Sequence, residues 1–203
     1  GHFDGRDPWY SYHEKFSDLL TGIVGGTPGE IVVMNSLTTN LHLMMVSFYR
    51  PTSERYKILV EGGAFPSDQY AVASQADFHG FDPDEAIVEL EPRQGEELLR
   101  HADIAEAIEM HGDELALVML GGVNYYTGQF FDLERITELG HDAGAVVGFD
   151  LAHAAGNVPL ELHDWDVDFA VWCHYKYLNA GPGATGGCFV HERHAEDQSL
   201  PRF

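Results

Sequence analysis

Asp166-Val167-Asp168-Phe169-Ala170-Val171-Trp172-Cys173-His174-Tyr175-Lys176-Tyr177-Leu178-Asn179-Ala180-Gly181-Pro182-Gly183 runs from an apolar stretch into a polar cluster and then a glycine-rich loop. Phe169 to Cys173 has the length and composition of a buried strand. Lys176 therefore falls just past a strand end. A lysine there is costly unless its charge is paired or its pKa lowered, and one so placed is a candidate for Schiff-base chemistry. The chain's other lysines, Lys15 and Lys57, lack that apolar company. The alternative is a surface lysine at a loop start.

The second half of the argument lies upstream, in Ala145-Val146-Val147-Gly148-Phe149-Asp150-Leu151-Ala152-His153-Ala154-Ala155-Gly156. This is another strand of the buried type, ending in Asp150 with His153 shortly after. One excursion and a return to an adjacent strand separate Asp150 from Lys176. A carboxylate and a lysine at neighbouring strand ends suit pyridoxal 5'-phosphate (PLP). The lysine condenses with its aldehyde, and the carboxylate keeps the pyridine nitrogen protonated so that the ring acts as an electron sink. Taken alone, Asp150 reads as a helix cap or turn residue; the pairing with Lys176 favours the cofactor.

Outward from these stretches, strands and helices alternate. Helical spacing runs from His13 to Val24, with Phe16, Leu19, Leu20 and Ile23 on one face. Strands are expected at Glu30–Met34, Tyr56–Val60, Glu85–Leu90, Leu115–Leu120 and Gly187–His191. Helices are expected at Leu41–Tyr49, Pro66–Ala76, Gly95–Met110 and Leu133–Ala143. The pattern means an α/β fold, a three-layer sandwich with a mainly parallel central sheet. In such sheets ligands sit at the carboxyl ends of strands, where every candidate residue falls. Ser36 to Asn40 opens a helix, so its free N–H groups and hydroxyls could hold a phosphate; plain capping by Ser36 or Thr38 is compatible with that. Phe65, after the Tyr56–Val60 strand, could stack on a flat ring or simply belong to the core.

The 203 residues suffice for one domain with a substantial core. A formal charge of -22 argues against nucleic acid and anionic membranes as partners. No run approaches a membrane span and no secretory signal is visible. Cys173 and Cys188 make no disulfide framework, which points to a reducing, cytoplasmic setting. No HExxH, CxxC or paired His/Cys spacing suggests a metal, and no GxSxG, P-loop or GxGxxG occurs. The chain opens on Gly1 and stops at Phe203 shortly after a strand-like run, as a segment of a longer chain would.

Several blocks together resemble the kynureninase family, within the class V aminotransferase superfamily of fold-type I PLP enzymes. They are Phe149 to Asn157, Leu162-His163-Asp164-Trp165, Trp172 to Gly181, Asn35 to Leu43, Ala64-Phe65-Pro66-Ser67-Asp68 and Tyr126-Thr127-Gly128-Gln129. The likeness spans about residues 1 to 194. It implies a PLP-binding large domain over 1–203, without the family's N-terminal segment and smaller C-terminal domain. It implies a hydrolase of tryptophan catabolism that cleaves L-kynurenine, or 3-hydroxykynurenine, to anthranilate or 3-hydroxyanthranilate and L-alanine. Lys176 then carries the cofactor and Asp150 pairs with its ring nitrogen. His153 lies beside the ring, near its phenolic oxygen. Tyr175 reaches the phosphate and shuttles a proton, Leu37 and Thr38 hold the phosphate, and Phe65 stacks on the ring with Ser67 and Asp68 in the same loop. His2 matches a family histidine near the substrate's aromatic end. A homodimer is expected, each site being finished by the partner.

Where relatives often carry a serine, this chain has Gly121, so a hydroxyl near the phosphate is missing. The family's substrate-gripping arginine, phosphate-reaching tryptophan and ring-facing asparagine lie beyond residue 203, so the 203-residue segment alone is expected to have little activity. The nearer alternatives are a cysteine desulfurase, which needs a mobile catalytic cysteine, and another class V aminotransferase. A non-catalytic fragment that keeps only the fold is the third.

Overall fold

The computed structural model describes residues 1–202. Seven strands form one sheet: β1 (Ile31–Val33), β2 (Lys57–Glu61), β3 (Ile87–Leu90), β4 (Leu115–Gly121), β5 (Val146–Asp150), β6 (Phe169–Cys173) and β7 (Gly186–Val190). Their spatial order is β1-β7-β6-β5-β4-β2-β3. Neighbours from β6 to β3 pair in parallel, and β7 alone is reversed, antiparallel to both β6 and β1. The helices are α1 (Glu14–Val24), α2 (Leu37–Phe48), α3 (Pro66–Phe78), α4 (Pro83–Ala86), α5 (His101–His111) and α6 (Leu133–Asp142).

Continuous apolar strands mean that both sheet faces are covered, and two clusters of buried side chains do this. Leu117 and Met119 of β4, with Phe169 and Val171 of β6, pack beneath Leu41, Met45 and Phe48 of α2 and Val72 of α3. Their alternate neighbours Val118, Leu120, Ala170 and Trp172 face the opposite layer, with Val24 of α1, Ile104 and Ile108 of α5 and Ile136 of α6. The period of two along each strand thus builds the three layers. Chain direction across the sheet reverses between β2 and β4, which are adjacent in space. Their carboxyl ends therefore flank a switch-point crevice of the kind where α/β sheets bind ligands.

Three expectations need correction. The Gly95–Met110 helix begins only at His101. Leu98 and Leu99 have helical spacing, but the side chain of Gln129 takes both backbone groups of Leu99: Leu99 N–H donates to Oε1 at 3.0 Å and Nε2 donates to the Leu99 carbonyl at 2.6 Å. Tertiary contact overrides periodicity there. On α1, the buried positions are Ser17, Leu20 and Val24; Leu19, expected on that face, is 71% exposed. Glu30, read as the first residue of a strand, instead closes a single helical turn, Pro28–Glu30. It forms a capping box with Thr27. Gly186 has a specific reason to be glycine. A Cβ there would meet the Trp172 carbonyl oxygen at 2.7 Å and Leu37 N at 3.0 Å, so only a bare backbone lets β7 pass the start of α2.

Candidate active site

The carboxyl rim of the sheet gathers side chains from five strand ends around one cavity of about 180 Å³, a size for a small molecule. It is lined by Leu37 and Thr38 after β1, Glu61, Phe65, Ser67 and Asp68 after β2, and Gly121, Val123 and Tyr125 after β4. Asp150, Ala152 and His153 come from β5, and Tyr175 and Lys176 from β6.

Asp150 ends β5 and sits opposite Val171 of β6 in register, so the loop after Cys173 brings Lys176 to the same rim. Lys176 Nζ lies 3.0 Å from His153 Nε2 and 5.5 Å from the centre of the Phe65 ring. Burial, and then the adjacent Lys176 charge, lower the proton affinity of His153, so its neutral Nε2 accepts from the ammonium. Ahead of the lysine, Trp172 Nε1 donates to His174 Nε2 and His174 Nδ1 donates to the Thr185 carbonyl, which fixes the tautomer of that buried ring. Burial holds His174 neutral.

Asp150 is 8% exposed, and its Oδ1 accepts the Ala152 N–H at 2.7 Å. Burial pushes its pKa well above the usual carboxylate range, and the neighbouring Asp68 charge adds to this; Asp68 is raised as well, chiefly by burial. Asp68 is half-buried, and it lines the same cavity as Asp150. Tyr175, half exposed, is raised first by burial and then by Cys173 beneath it. Leu37 and Thr38 open α2, where first-turn N–H groups have no partner within the helix. Ser36 caps it, accepting the Thr39 N–H at 3.3 Å. Phe65 is 46% exposed at the mouth and is not core.

Nine of the ten residues singled out from the sequence thus meet in one place. His2 does not: it is exposed in the N-terminal segment, with Phe3 and Trp9 as its aromatic neighbours. Glu61 and Tyr125 were missed. Only Glu61's place at the end of an apolar strand could have signalled it. Gly121 faces Glu61 rather than the opening of α2, for a Cβ there would stand 2.9 Å from Glu61 Oε1.

At the other end of the sheet, Glu30, His163 and His191 come together although no spacing showed it. They are poorly built for a metal. The two imidazoles are stacked 4.9 Å apart and 9° from parallel, so one ion cannot lie in both ring planes. The Glu30 oxygens already accept the Thr27 and Glu192 N–H groups and His163 Nδ1.

A mainly parallel α/β sheet with a lysine, a buried acid and a helix opening around one switch-point cavity defines a small-molecule-binding class of enzyme fold. The aminotransferase class-V family matches residues 11–199, and the chain belongs to that family. It is 66% identical to a kynureninase from Myxococcus xanthus and 63% identical to one from Flavobacterium psychrophilum, each over all 203 residues but only 48% of the relative. The chain therefore spans about half the length of these relatives. Among solved structures, a C-DES variant with glycine covalently linked to its PLP cofactor superposes with a TM-score of 0.74. It is 20% identical and covers 90% of this chain and 46% of that one, a likeness of fold.

Proposed function

We propose that this chain is the PLP-binding large domain of an enzyme that hydrolyses L-kynurenine or 3-hydroxykynurenine, giving L-alanine and anthranilate or 3-hydroxyanthranilate. The observation that carries the reading is the meeting of Lys176 with buried Asp150 in one cavity. The donor set fits PLP: an ammonium for the aldehyde, a buried carboxyl for the ring nitrogen, a ring at the mouth for stacking and first-turn N–H groups for the phosphate. The unpartnered, buried Glu61 Oε2 marks a pocket whose polar groups are not yet satisfied from within.

PLP, when bound, supplies the electron sink that lets the substrate's α-proton leave and its Cβ–Cγ bond break. Lys176 is the covalent anchor and, once freed, the base at the α-carbon. His153 accepts its hydrogen bond and holds the ammonium beside Phe65. Asp150 would face the ring nitrogen, whose positive charge would favour the ionised carboxylate there. Leu37 and Thr38 bind phosphate oxygens through the opening of α2, with Ser67 and Asp68 lining the same loop. Tyr175 reaches the phosphate and moves a proton during bond cleavage. Family kinship at over 60% identity supports the choice of substrate.

His2 stands outside its own chain's cavity. Its role at the substrate ring fits a homodimer in which a second copy brings it in. The remaining substrate contacts come from a smaller C-terminal domain. A desulfurase reading lacks support: Cys173 and Cys188 are each 1% exposed, and burial pushes the Cys188 thiol up to about 12. The formal charge of -22 argues against nucleic acid and anionic membranes as partners, and no helix among the described residues is long and apolar enough to cross a membrane.

The deciding assay is product analysis with kynurenine, 3-hydroxykynurenine and cysteine on the full-length enzyme containing this chain. Release of anthranilate or its 3-hydroxy form is expected; sulfur release from cysteine instead overturns the reading. Tyr175→Phe should lower turnover by about a hundredfold with little change in stability, since the side chain is half exposed. Unchanged turnover would remove its proton-transfer role.

A further inference from the structure

His174 is a buried titratable side chain that the chemistry above leaves without a task. It is 8% exposed and stands between Cys173, which ends β6, and Tyr175. An indole N–H can only donate, so His174 Nε2 is the acceptor for Trp172 Nε1, 3.0 Å away. The ring proton is then on Nδ1, which donates to the Thr185 carbonyl at 2.7 Å. Both ring nitrogens are thus committed, one to the strand that enters the lysine loop and one to the residue that ends it. The two rings meet edge to face at 84°. The indole in turn lies over the bare backbone of Gly187, where a Cβ would meet Trp172 Nε1 at 2.7 Å.

This clasp joins two working segments. The ladder between β6 and β7 stops at Cys173 opposite Gly186, and the chain leaves the sheet for the loop that carries Tyr175 and Lys176. The His174 carbonyl accepts the Ala180 N–H at 3.0 Å, so the turn around Lys176 closes on the same residue. On the far side, Thr185 leads into Gly186. The Gly186 N–H donates to the Asn35 carbonyl at 2.6 Å, just ahead of α2. A Cβ on Gly186 would stand 3.0 Å from Leu37 N, so the strand passes directly under the helix opening. His174 therefore ties the Lys176 loop to the chain that supports Leu37 and Thr38, and both segments line the one cavity.

On the PLP reading above, we propose that His174 is a positioning residue that sets the spacing between Lys176 and the opening of α2, so that a ligand with an aldehyde at one end and a phosphate at the other engages both anchors at once. Such a ligand gains affinity when its two anchors are held in advance at the right separation. A ligand that uses one anchor gains nothing from that spacing. The imidazole suits the task because it is rigid and reaches an indole N–H with one nitrogen and a carbonyl with the other. Burial holds it in the neutral form, which has one donor and one acceptor.

The test uses full-length enzyme in wild type, His174→Phe and His174→Asn. Its probes are PLP, pyridoxal, which has the aldehyde without the phosphate, and inorganic phosphate. Phenylalanine fills the space and makes neither hydrogen bond. The asparagine amide takes the place of Nδ1 and keeps the bond to Thr185. In His174→Phe the PLP dissociation constant should rise about tenfold, while those of pyridoxal and phosphate change by less than about twofold. His174→Asn should recover most of the PLP affinity. In the ligand-free enzyme, amide hydrogen exchange over residues 174–186 should quicken in His174→Phe and stay near wild type in His174→Asn. Equal weakening of all the probes overturns the spacing role, because it marks His174 as a support of the whole site. Unchanged PLP affinity or unchanged exchange in His174→Phe overturns it too. Should His174→Phe fail to fold, His174→Gln takes its place, since its longer amide replaces Nε2 and leaves the Thr185 carbonyl without a donor. If wild type takes up no PLP, the functional reading falls and the spacing role with it. Normal PLP uptake in wild type with no change in His174→Phe removes the role of His174 alone.

Discussion

The two rims of the sheet hold the same residue types and treat them in opposite ways. At the amino rim, Asp168 is 4% exposed and accepts from Val147 N–H, His141 Nε2, His194 Nε2 and the Arg193 guanidinium. Burial opposes its charge, yet those hydrogen bonds hold it well below the usual carboxylate range. Glu30 behaves likewise: burial opposes, but Thr27, His163 and Glu192 donate and keep it low. At the carboxyl rim, Glu61, Asp68 and Asp150 are all raised, with burial the first cause in each. Burial is common to both rims. The difference is the supply of donors, which is ample at one end and scarce at the other. A buried acid short of donors marks the end of this fold that is built to receive something else.

Substitutions at each rim can break this contrast. Lys176→Ala has the largest expected effect: turnover falls roughly a thousandfold or more and the absorbance band of lysine-bound PLP disappears, while urea unfolding stays near wild type. A retained band would detach Lys176 from the cofactor. Asp168→Ala should do the reverse, costing ~3 kcal/mol of unfolding free energy because Arg193 and two histidines lose a buried acceptor. PLP affinity should not change; a parallel loss of PLP binding would mean that the rims are coupled.

The pH dependence of the ligand-free protein sharpens the contrast. Asp168 is depressed in the folded state, so its contribution is present above its unfolded pKa, about 4, and is lost as pH falls below that. Glu61 is raised, so between about 4.5 and about 7 the folded state keeps a proton that the unfolded chain has released. Stability therefore falls across that window as pH rises, by roughly 3 kcal/mol. Denaturant midpoints measured across pH should show both limbs, and Glu61→Gln should flatten only the neutral one. The smallest effect expected is that of Ser36→Ala. Losing the cap of α2 should cost about 1 kcal/mol, with a modest loss of PLP affinity read from the same titrations.

Much of the site was legible because its two principal residues end short, continuous apolar runs, and such runs are central parallel strands whose ends share a rim. Ser67 and Asp68 were found through the family likeness rather than through any periodicity, whereas Phe65 was singled out by its place after a strand, with stacking and core both open. Glu61 escaped because a glutamate at the end of Lys57–Glu61 looks like any solvent-facing acid. Its surroundings are set by other elements, Gly121 at the end of β4 and Asp68 in the first turn of α3. The Gly95–Arg100 segment misled because Leu98 and Leu99 fit a helix, while the competing partner, Gln129, arrives from another loop. The amino-rim histidines carry no spacing signal, because they come from separate segments: His141 from α6, His163 from the loop before β6, and His191 and His194 from after β7.

By itself, the sequence determined the alternation of strands and helices, the parallel core and the placing of Lys176 and Asp150 on one rim. Each of these follows from local patterning and from the rule that parallel strands end on one rim. Tertiary structure alone decided which acids keep their protons, since proton affinity depends on the donors and charges that distant segments bring within a few ångströms. It also decided that β7 runs backwards and that His2 stands apart from the cavity, because strand direction and the path of an irregular segment are set by packing rather than by composition.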